Sequence, residues 1–195
     1  MDSERATSAP PIDVSVWWKV KNWGRFVLET LFNAYGTHIP SRRVRRAWLR
    51  VLGARIGPGS AVFRGTTVFG AHNLQIGERT NVGWRCVLDA RGGITIGDDI
   101  VVSSDCQLIT GDHLIDDPGF AAYFLPIIID DHAWIATRSL VIRGVRVGRG
   151  AVVAAGAVVT RDVTPLQVVT GSPARPLRMR QSALGYRLGH DPWLY

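Results

Sequence analysis

The sequence predicts an all-β solenoid, a chain wound into a coil whose successive turns stack on one another. Two observations predict it: an aliphatic residue recurs at intervals of six, and a small or slim residue follows four positions after it. A period of six matches neither an α-helix nor a single strand. It matches short strands separated by tight corners, three to a turn, with parallel hydrogen bonds between turns.

The aliphatic positions set the length of each turn. They are Ile56, Val62, Val68, Leu74, Ile76, Val82, Leu88, Ile96, Val102, Leu108 and, after an interruption, Ile129, Ile135, Val141, Val147, Val153 and Val159. The slim positions are Ser60, Thr66, Thr80, Cys86, Cys106, Ala133, Ser139, Ala151 and Ala157. Ile129 to Val147 is one turn of 18 residues, whereas Ile56, Ile76 and Ile96 are 20 apart. The early turns therefore carry two extra residues, which we place at the His72–Asn73 and Gly92–Gly93 corners.

Two helices are expected before the coil. Residues 14–34 have apolar side chains at spacings of three and four, which indicates an amphipathic helix. A second helix is expected over 41–53, with Ser41 as N-cap and Gly53 at its end. This helix holds five arginines and one tryptophan, and two interpretations stay open. It either caps the first coil turn, as an open solenoid end requires, or docks an anionic lipid-linked glycan.

These patterns divide the chain into four parts: a disordered tail at 1–12, a helical cap region at 13–53, the β-helix at 54–174 with an inserted loop at 114–128, and a C-terminal extension at 175–195. The sequence shows neither a long apolar run nor a basic start followed by one. We therefore expect a cytoplasmic protein with at most peripheral membrane contact.

The net charge of +7 comes almost entirely from arginine and favours an anionic partner. No DNA- or RNA-binding motif accompanies it, so nucleic acid is not expected as a partner. Cys86 and Cys106 are one 20-residue turn apart and should stack on each other. A disulfide is conceivable at that separation, but two reduced thiols in slim core positions are expected in a cytoplasmic protein.

The rhythm breaks between Ile96 and Ile129, which are 33 residues apart, one turn plus 15. The extra segment follows His113, which closes a six-residue unit at a corner where side chains point outward. Long loops from regular scaffolds often carry function. A solvated surface histidine is the alternative, yet an imidazole ordinarily changes charge near neutral pH and so suits acid–base chemistry.

Four stretches give the pattern an identity: "WLRVLGARIGPGS", "TGDHLIDDPGF", "IIIDDHAWIATRS" and "GSPARPL". Over about residues 46–180 the chain resembles the hexapeptide-repeat acyltransferases, whose fold is a left-handed parallel β-helix. Within that family it is similar to the sugar O-acetyltransferases of the maltose, galactoside, nodulation-factor and colanic-acid type. The resemblance implies transfer of an acetyl group from acetyl-CoA to a sugar or glycan precursor, including a lipid-linked one. It also implies a homotrimer with sites between subunits and no metal.

The same resemblance assigns roles to residues. His113 is implied as the general base, oriented by Asp112, Asp116 or Asp117. A backbone N–H at Ala136 or Thr137 is implied as the oxyanion donor, and Trp134 as a wall of the acyl-CoA tunnel.

The pantetheine arm of coenzyme A is implied to run along small residues, and its phosphates to meet polar and basic ones. The residues implied are Ala136, Ala154, Ala155, Thr160, Arg161, Arg175 and Arg178. The last three belong to a cluster of seven arginines between positions 143 and 180, faced by one acid, Asp162; a solvated basic surface is the alternative. Asp89, Asp112 and Trp84 are the acceptor candidates, although "NVGWRCVLDARGG" departs from the maltose-type pocket.

Three other functions are alternatives for a chain with this repeat. A zinc enzyme of the γ-carbonic anhydrase type needs a histidine pair five positions apart, which the histidines at 38, 72, 113, 132 and 190 do not provide. A catalytically silent scaffold and an acyltransferase for a non-sugar hydroxyl remain as alternatives.

Overall fold

The computed structural model describes residues 23–189 and shows a parallel β-solenoid of about six turns behind two N-terminal helices. The coil that the six-residue period predicts is therefore confirmed. Each turn contributes one strand to each of three parallel sheets, here called A, B and C, which form the three walls of the coil.

The strands are short, as tight corners require. Sheet A contains β1 (Arg55–Ile56), β4 (Leu74–Ile76), β7 (Ile94–Ile96), β12 (Ile127–Ile129) and β15 (Arg146–Val147). Sheet B contains β2 (Ala61–Val62), β5 (Asn81–Val82), β8 (Val101–Val102), β13 (Trp134–Ile135), β16 (Val152–Val153), β18 (Gln167–Thr170) and β19 (Arg175–Met179). Sheet C contains β3 (Thr67–Phe69), β6 (Val87–Asp89), β9 (Gln107–Ile109), β14 (Leu140–Ile142) and β17 (Val158–Val159).

The register stacks each aliphatic residue on its equivalent in the next turn. In sheet A the pairing runs from Ile56 through Ile76, Ile96 and Ile129 to Val147. All the aliphatic and slim positions of the repeat are buried, so they form a continuous core. Cys86 and Cys106 lie in that core as free thiols, as expected.

Close stacking at the corners explains the glycine that often follows the aliphatic residue. A Cβ atom on Gly77 would lie 2.7 Å from the carbonyl carbon of Gly97 in the turn above. No side chain fits at that distance, so the corner between sheets A and B needs glycine there.

Variation in turn length is concentrated at one corner. The A–B corner (57–60, 77–80, 97–100, 130–133 and 148–151) and the B–C corner (63–66, 83–86, 103–106, 136–139 and 154–157) are four residues long throughout. The C–A corner (70–73, 90–93, 110–126, 143–145 and 160–162) ranges from three residues to 17. The extra residues expected at His72–Asn73 and Gly92–Gly93 and the long insertion all leave the coil there, the first within a 3-10 helix, Ala71–Asn73.

The helices before the coil are α1 (Trp23–Ala34) and α2 (Arg42–Val51), joined through a 3-10 helix, Gly36–His38. The part of the first helix expected at 14–22 lies outside the described residues. Ser41 occupies the N-cap position of α2, although among the described residues its hydroxyl makes no capping hydrogen bond. Gly53, at φ +101, ends α2: its N–H donates to the Arg50 carbonyl and that of Ala54 to the Leu49 carbonyl.

The cap replaces the turn that would precede β1, β2 and β3. Glu29 accepts hydrogen bonds from the N–H groups of Gly70 and Ala71, and Asn33 both donates to and accepts from the backbone of Val68. Further side chains donate to carbonyl groups of the same edge: Thr37 to Thr66, Arg45 to Val62, Arg46 to Ser60 and Arg50 to Ile56. The helices therefore close the coil by satisfying its free backbone groups.

The other end of the coil closes differently. Strand β19 runs antiparallel to β18, and the chain then descends along the A–B corner. There Arg180 and Tyr186 both donate to the His132 carbonyl, and the Leu188 N–H donates to Asp99 at 2.8 Å. Leu184 is buried in this segment. The C-terminal residues thus tie three turns of the coil together.

Candidate functional site

The insertion at the C–A corner is a β-hairpin. Strands β10 (Gly111–His113) and β11 (Ala122–Phe124) pair antiparallel, with His113 opposite Ala122. The expected loop at 114–128 is therefore displaced: the chain leaves the coil after Ile109 and has returned by Ile127. The reason is that Gly111–His113 bonds to its own return strand instead of to a neighbouring turn. His113 consequently lies on the hairpin, not at a corner of the coil.

The imidazole of His113 is exposed and is oriented by a backbone carbonyl. Its Nδ1 atom lies 2.9 Å from the carbonyl oxygen of Phe120, and its ring stacks on the Phe120 ring at 4.4 Å and 11°. A carbonyl oxygen only accepts hydrogen bonds, so this contact favours the tautomer with the proton on Nδ1. Nε2 then carries the lone pair that a general base needs.

The three acids considered as orienting groups have other partners or none. Asp112 accepts from the His113 backbone N–H at 2.8 Å, and Asp117 accepts from the Ala121 N–H at 3.1 Å. Within residues 23–189, Asp116 makes no side-chain hydrogen bond or ion pair. The ring of His113 is held by Phe120 instead, a contact that the sequence alone could not indicate because it involves a backbone atom.

Arg143, from the next turn, fixes the hairpin on the coil. Its guanidinium lies 2.9 Å from the Asp112 carboxylate, donates to the Tyr123 hydroxyl and stacks 4.8 Å from the Tyr123 ring centre. It therefore bridges both hairpin strands. In the sequence, Arg143 is one member of a basic cluster. The acid of "TGDH" and the tyrosine of "AAYF" were the features that could have indicated its partners.

Asp89 lies on sheet C in the turn below the hairpin. Its carboxylate is buried and receives two hydrogen bonds from Arg91, at 2.7 and 2.8 Å. Hydrogen bonding to Asp89 raises the pKa of Arg91. The Arg91 guanidinium lies 4.9 Å from the centre of the Phe124 ring, on the second hairpin strand. Asp89 thus supports the base of the hairpin through Arg91.

Trp84 lies apart from Asp89 and Asp112, the other two residues expected to bind the acceptor. It occupies the B–C corner, where its ring stacks on Phe63 at 6.4 Å and 10° and lies beneath the Arg64 guanidinium at 5.1 Å. Asp89, Asp112 and His113 are at the C–A end of sheet C. One chain therefore does not bring Trp84 to His113, because sheet C separates the two corners.

The residues associated with the acyl-CoA tunnel also line sheet B and the B–C corner. Trp134 is exposed and donates from Nε1 to Ser103 at 3.1 Å. The Ala136 N–H donates to the Val153 carbonyl, which rules it out as an oxyanion donor. Among the described residues the Thr137 N–H has no hydrogen-bond partner, so Thr137 is the available donor of the two.

Ala154 and Ala155 stack above Ala136 and Thr137 in turn, and the Thr137 carbonyl accepts from the Gly156 N–H. Arg175 and Arg178 lie on β19, opposite Thr170 and Val168, and both are exposed. Thr160 and Arg161 are exposed at the C–A corner of a late turn.

The seven arginines between 143 and 180 do not form one basic face. Arg143 contacts the hairpin, Arg146 pairs with Asp130 at 2.9 Å, and Arg180 binds backbone carbonyls at the A–B corner. Three members of the cluster thus have structural partners, which leaves a smaller set for an anionic ligand.

Among residues 23–189, no set of three or more histidine, cysteine, aspartate or glutamate side chains could hold a metal ion.

The helices among these residues are too short and too polar to cross a membrane.

Comparisons with known proteins show which family the chain resembles in sequence and in fold. A family model described as "Hexapeptide repeat of succinyl-transferase" matches residues 74–104 and 126–161. The putative colanic acid biosynthesis acetyltransferase WcaF of Escherichia coli is 32% identical over 169 residues, 87% of this chain and 88% of that protein. A putative acetyltransferase of Schizosaccharomyces pombe is 37% identical over 112 residues, which are 54% of this chain and 53% of that protein. The chain therefore spans about half the length of that relative.

Solved structures are similar over most of the chain. A hexapeptide-repeat-containing acetyltransferase from Vibrio cholerae, complexed with acetyl coenzyme A, has a TM-score of 0.78 and 27% identity, covering 85% of this chain and 92% of its own. A maltose O-acetyltransferase from Clostridium difficile has a TM-score of 0.72 and 27% identity, covering 82% and 86%.

Proposed function

This chain belongs to the hexapeptide-repeat acyltransferase family, and from that membership we propose that it is an acetyl-CoA-dependent O-acetyltransferase acting on a sugar or glycan precursor. The observation that carries the proposal is the orientation of His113, whose Nδ1 atom faces the Phe120 carbonyl. The resemblance to a maltose O-acetyltransferase and to WcaF supports a sugar as the acceptor.

The proposed chemistry starts at Nε2 of His113. This atom takes the proton of the acceptor hydroxyl as the oxygen attacks the thioester carbon. The tetrahedral intermediate then collapses, the carbon–sulfur bond breaks, and the imidazolium returns the proton to the departing thiolate. The products are an acetyl ester and coenzyme A, and no covalent enzyme intermediate is needed.

The oxyanion of the intermediate requires a preorganised donor. We assign this role to the backbone N–H of Thr137, because the Ala136 N–H is already bonded to Val153. Thr137 lies at the B–C corner and His113 beyond the C–A corner of the same chain. Three residues of a sheet C strand, about 10 Å, lie between the corners.

The separation of His113 and Thr137 favours a site built by two subunits. We propose a homotrimer in which the hairpin of one subunit meets sheet B and the B–C corner of its neighbour. Trp134, Ala154 and Ala155 would line the tunnel for the pantetheine arm, since small side chains let it approach the backbone. Arg175 and Arg178, with Thr160 and Arg161, would bind the phosphate groups.

The acceptor would lie below His113. The Trp84 ring of the neighbouring subunit, stacked on Phe63 and lying beneath Arg64, would supply an aromatic surface of the kind that sugar rings contact. Asp112, on the hairpin, and Asp89, in the turn below it, would be the carboxylates that contact the acceptor. Acetyl-CoA is a cytoplasmic metabolite, so the proposal includes a cytoplasmic location.

The test is acetyl-CoA turnover with a panel of sugars and other hydroxyl acceptors, comparing His113→Ala with the unmodified chain. We expect kcat to fall by about 100-fold to 10,000-fold, the usual contribution of a general base. His38→Ala is the matched control, because His38 is also exposed but lies in the cap. Unchanged turnover in His113→Ala would exclude His113 as the base, and selective turnover of non-sugar acceptors would exclude a sugar substrate.

A further inference from the structure

Helix α1 is apolar on the side that faces away from the coil. Its inward side carries Phe32, which is buried, and the polar residues Glu29 and Asn33, which bond to the coil edge. Its outward side carries Trp23, Leu28 and Leu31, followed by Tyr35 directly after the helix. Trp23 and Tyr35 are 73% and 71% exposed. Spacings of three, four and eight residues put these four side chains on one side of the helix.

The same end of the molecule is strongly basic. Between residues 23 and 77 the sequence has eight arginines and one acid, Glu29, whose carboxylate is committed to the coil backbone. The arginines are Arg25, Arg42, Arg43, Arg45, Arg46, Arg50, Arg55 and Arg64. Two of them, Arg42 and Arg45, are buried in the cap, and burial lowers the pKa of Arg45 to about 10; Arg25, Arg43, Arg50 and Arg55 are exposed.

We propose that this end of the molecule, the outward side of α1 with the arginines around it, binds the surface of an anionic lipid bilayer. Apolar and aromatic side chains beside arginine are the pattern of helices that lie in the membrane interface. The rings would enter the headgroup region while the exposed arginines, Arg25, Arg43, Arg50 and Arg55, meet lipid phosphates. Binding is peripheral and independent of the acetyl-transfer reaction.

A second copy of the chain, a nucleic acid and an anionic bilayer could each bind this face, and its charge together with its apolar residues favours the bilayer. A second copy of the chain docked through the same face would bring its exposed arginines against Arg25, Arg43, Arg50 and Arg55, which like-charge repulsion disfavours. A nucleic acid would satisfy the arginines but leave the apolar side of α1 in water. An anionic bilayer satisfies both, because its surface is negative and its interior is apolar.

The test is co-sedimentation of the full chain with vesicles of phosphatidylcholine alone or containing about 30 mol % phosphatidylglycerol. We expect binding only to the anionic vesicles, weakening as salt is added. The variant Leu31→Gln/Tyr35→Gln keeps the charge and should bind at least about tenfold more weakly. Leu177→Gln/Met179→Gln, which changes two exposed apolar residues at the opposite end of the coil, should bind as the unmodified chain does.

A second measurement remains informative even if the variant Leu31→Gln/Tyr35→Gln does not fold. Brominated lipid should quench tryptophan fluorescence in the unmodified chain more than in Trp23→Phe. Failure to bind anionic vesicles, equal binding by both double variants, or equal quenching in Trp23→Phe would overturn the proposal. So would a smaller particle mass by light scattering for Leu31→Gln/Tyr35→Gln, because the face would then be a subunit interface.

Discussion

At the scale of single residues, the orientation of His113 depends on an unusual backbone conformation at Phe120. Phe120 has a φ of +46, in the left-handed region that side chains other than glycine seldom adopt. Its carbonyl is thereby turned toward Nδ1 of His113 and its ring lies parallel to the imidazole. One residue thus supplies both the acceptor that fixes the tautomer and the surface that restricts the ring.

Arg143 is expected to position His113 without touching substrate. Arg143→Ala removes the ion pair to Asp112 and the bond to Tyr123, so we expect kcat/KM to fall by about tenfold to 100-fold, as for misplaced catalytic groups. Asp112→Asn should have a similar effect, and the loss in the double variant should be smaller than the sum of the two, because both changes break the ion pair between Arg143 and Asp112. Steady-state kinetics of both single variants and the double variant measure this; additive losses would contradict it.

Asp89 can be tested for a structural role against an acceptor-binding role. Asp89→Asn leaves the Arg91 guanidinium without its carboxylate, and we expect the free energy of unfolding to fall by about 1–3 kcal/mol. Urea unfolding measures that loss. A raised KM for the acceptor with unchanged stability would show instead that Asp89 binds substrate.

At the scale of secondary-structure elements, the cap helices act through polar side chains that replace strand hydrogen bonds. Asn33→Ala removes the donor and the acceptor that pair with Val68, leaving both backbone groups partly buried and unpaired. We expect unfolding free energy to fall by about 1–3 kcal/mol. Thr30→Ala, an exposed change in the same helix, is the control for urea unfolding and should have a much smaller effect. Equal effects would mean that Asn33 does not cap the coil.

The repeat made the coil predictable, because one aliphatic core residue of each strand recurs at a period of six. The faces of α1 were not predictable from the same reasoning. Its apolar spacing is real, but only Phe32 among Trp23, Leu28, Leu31 and Phe32 is fully buried. The backbone groups at the free edge of the first turn need hydrogen-bonding partners. Glu29 and Asn33 therefore lie on the inward side of α1, where they bond to that edge.

The insertion was predictable from the sequence, but its bounds and its hairpin structure were not. The count of 15 extra residues located it, and "TGDH" marked its histidine. Its start at Gly111 depends on antiparallel pairing with Ala122–Phe124, and the contact between Nδ1 and the Phe120 carbonyl depends on a turn conformation. Neither has a period or motif in the sequence.

At the scale of the whole molecule, the C-terminal segment should make stability depend on acid pH. Hydrogen bonds from Arg79 lower the pKa of Asp99, and the Leu188 N–H bonds to the same carboxylate. A lowered folded-state pKa stabilises the fold above the ordinary pKa of an aspartate, and this contribution is lost as pH falls through the folded-state value.

Asp99→Asn should therefore reduce stability at neutral pH and have a smaller effect in acid. Thermal unfolding of both chains at about pH 7 and about pH 3 measures the difference. The gap between the two melting temperatures should narrow at the lower pH. A gap that stays constant or widens would mean that the charge of Asp99 does not support the fold.

The closed first turn also affects whether separate molecules can join end to end. An uncovered strand edge with unpaired N–H and carbonyl groups is a template onto which another chain can add, and a coil with two such ends could grow into filaments without limit. Here Asn33 and Glu29 occupy the backbone groups that an incoming strand would use. The cap therefore acts as a terminator of self-assembly, and it limits the length of the coil to that of one chain.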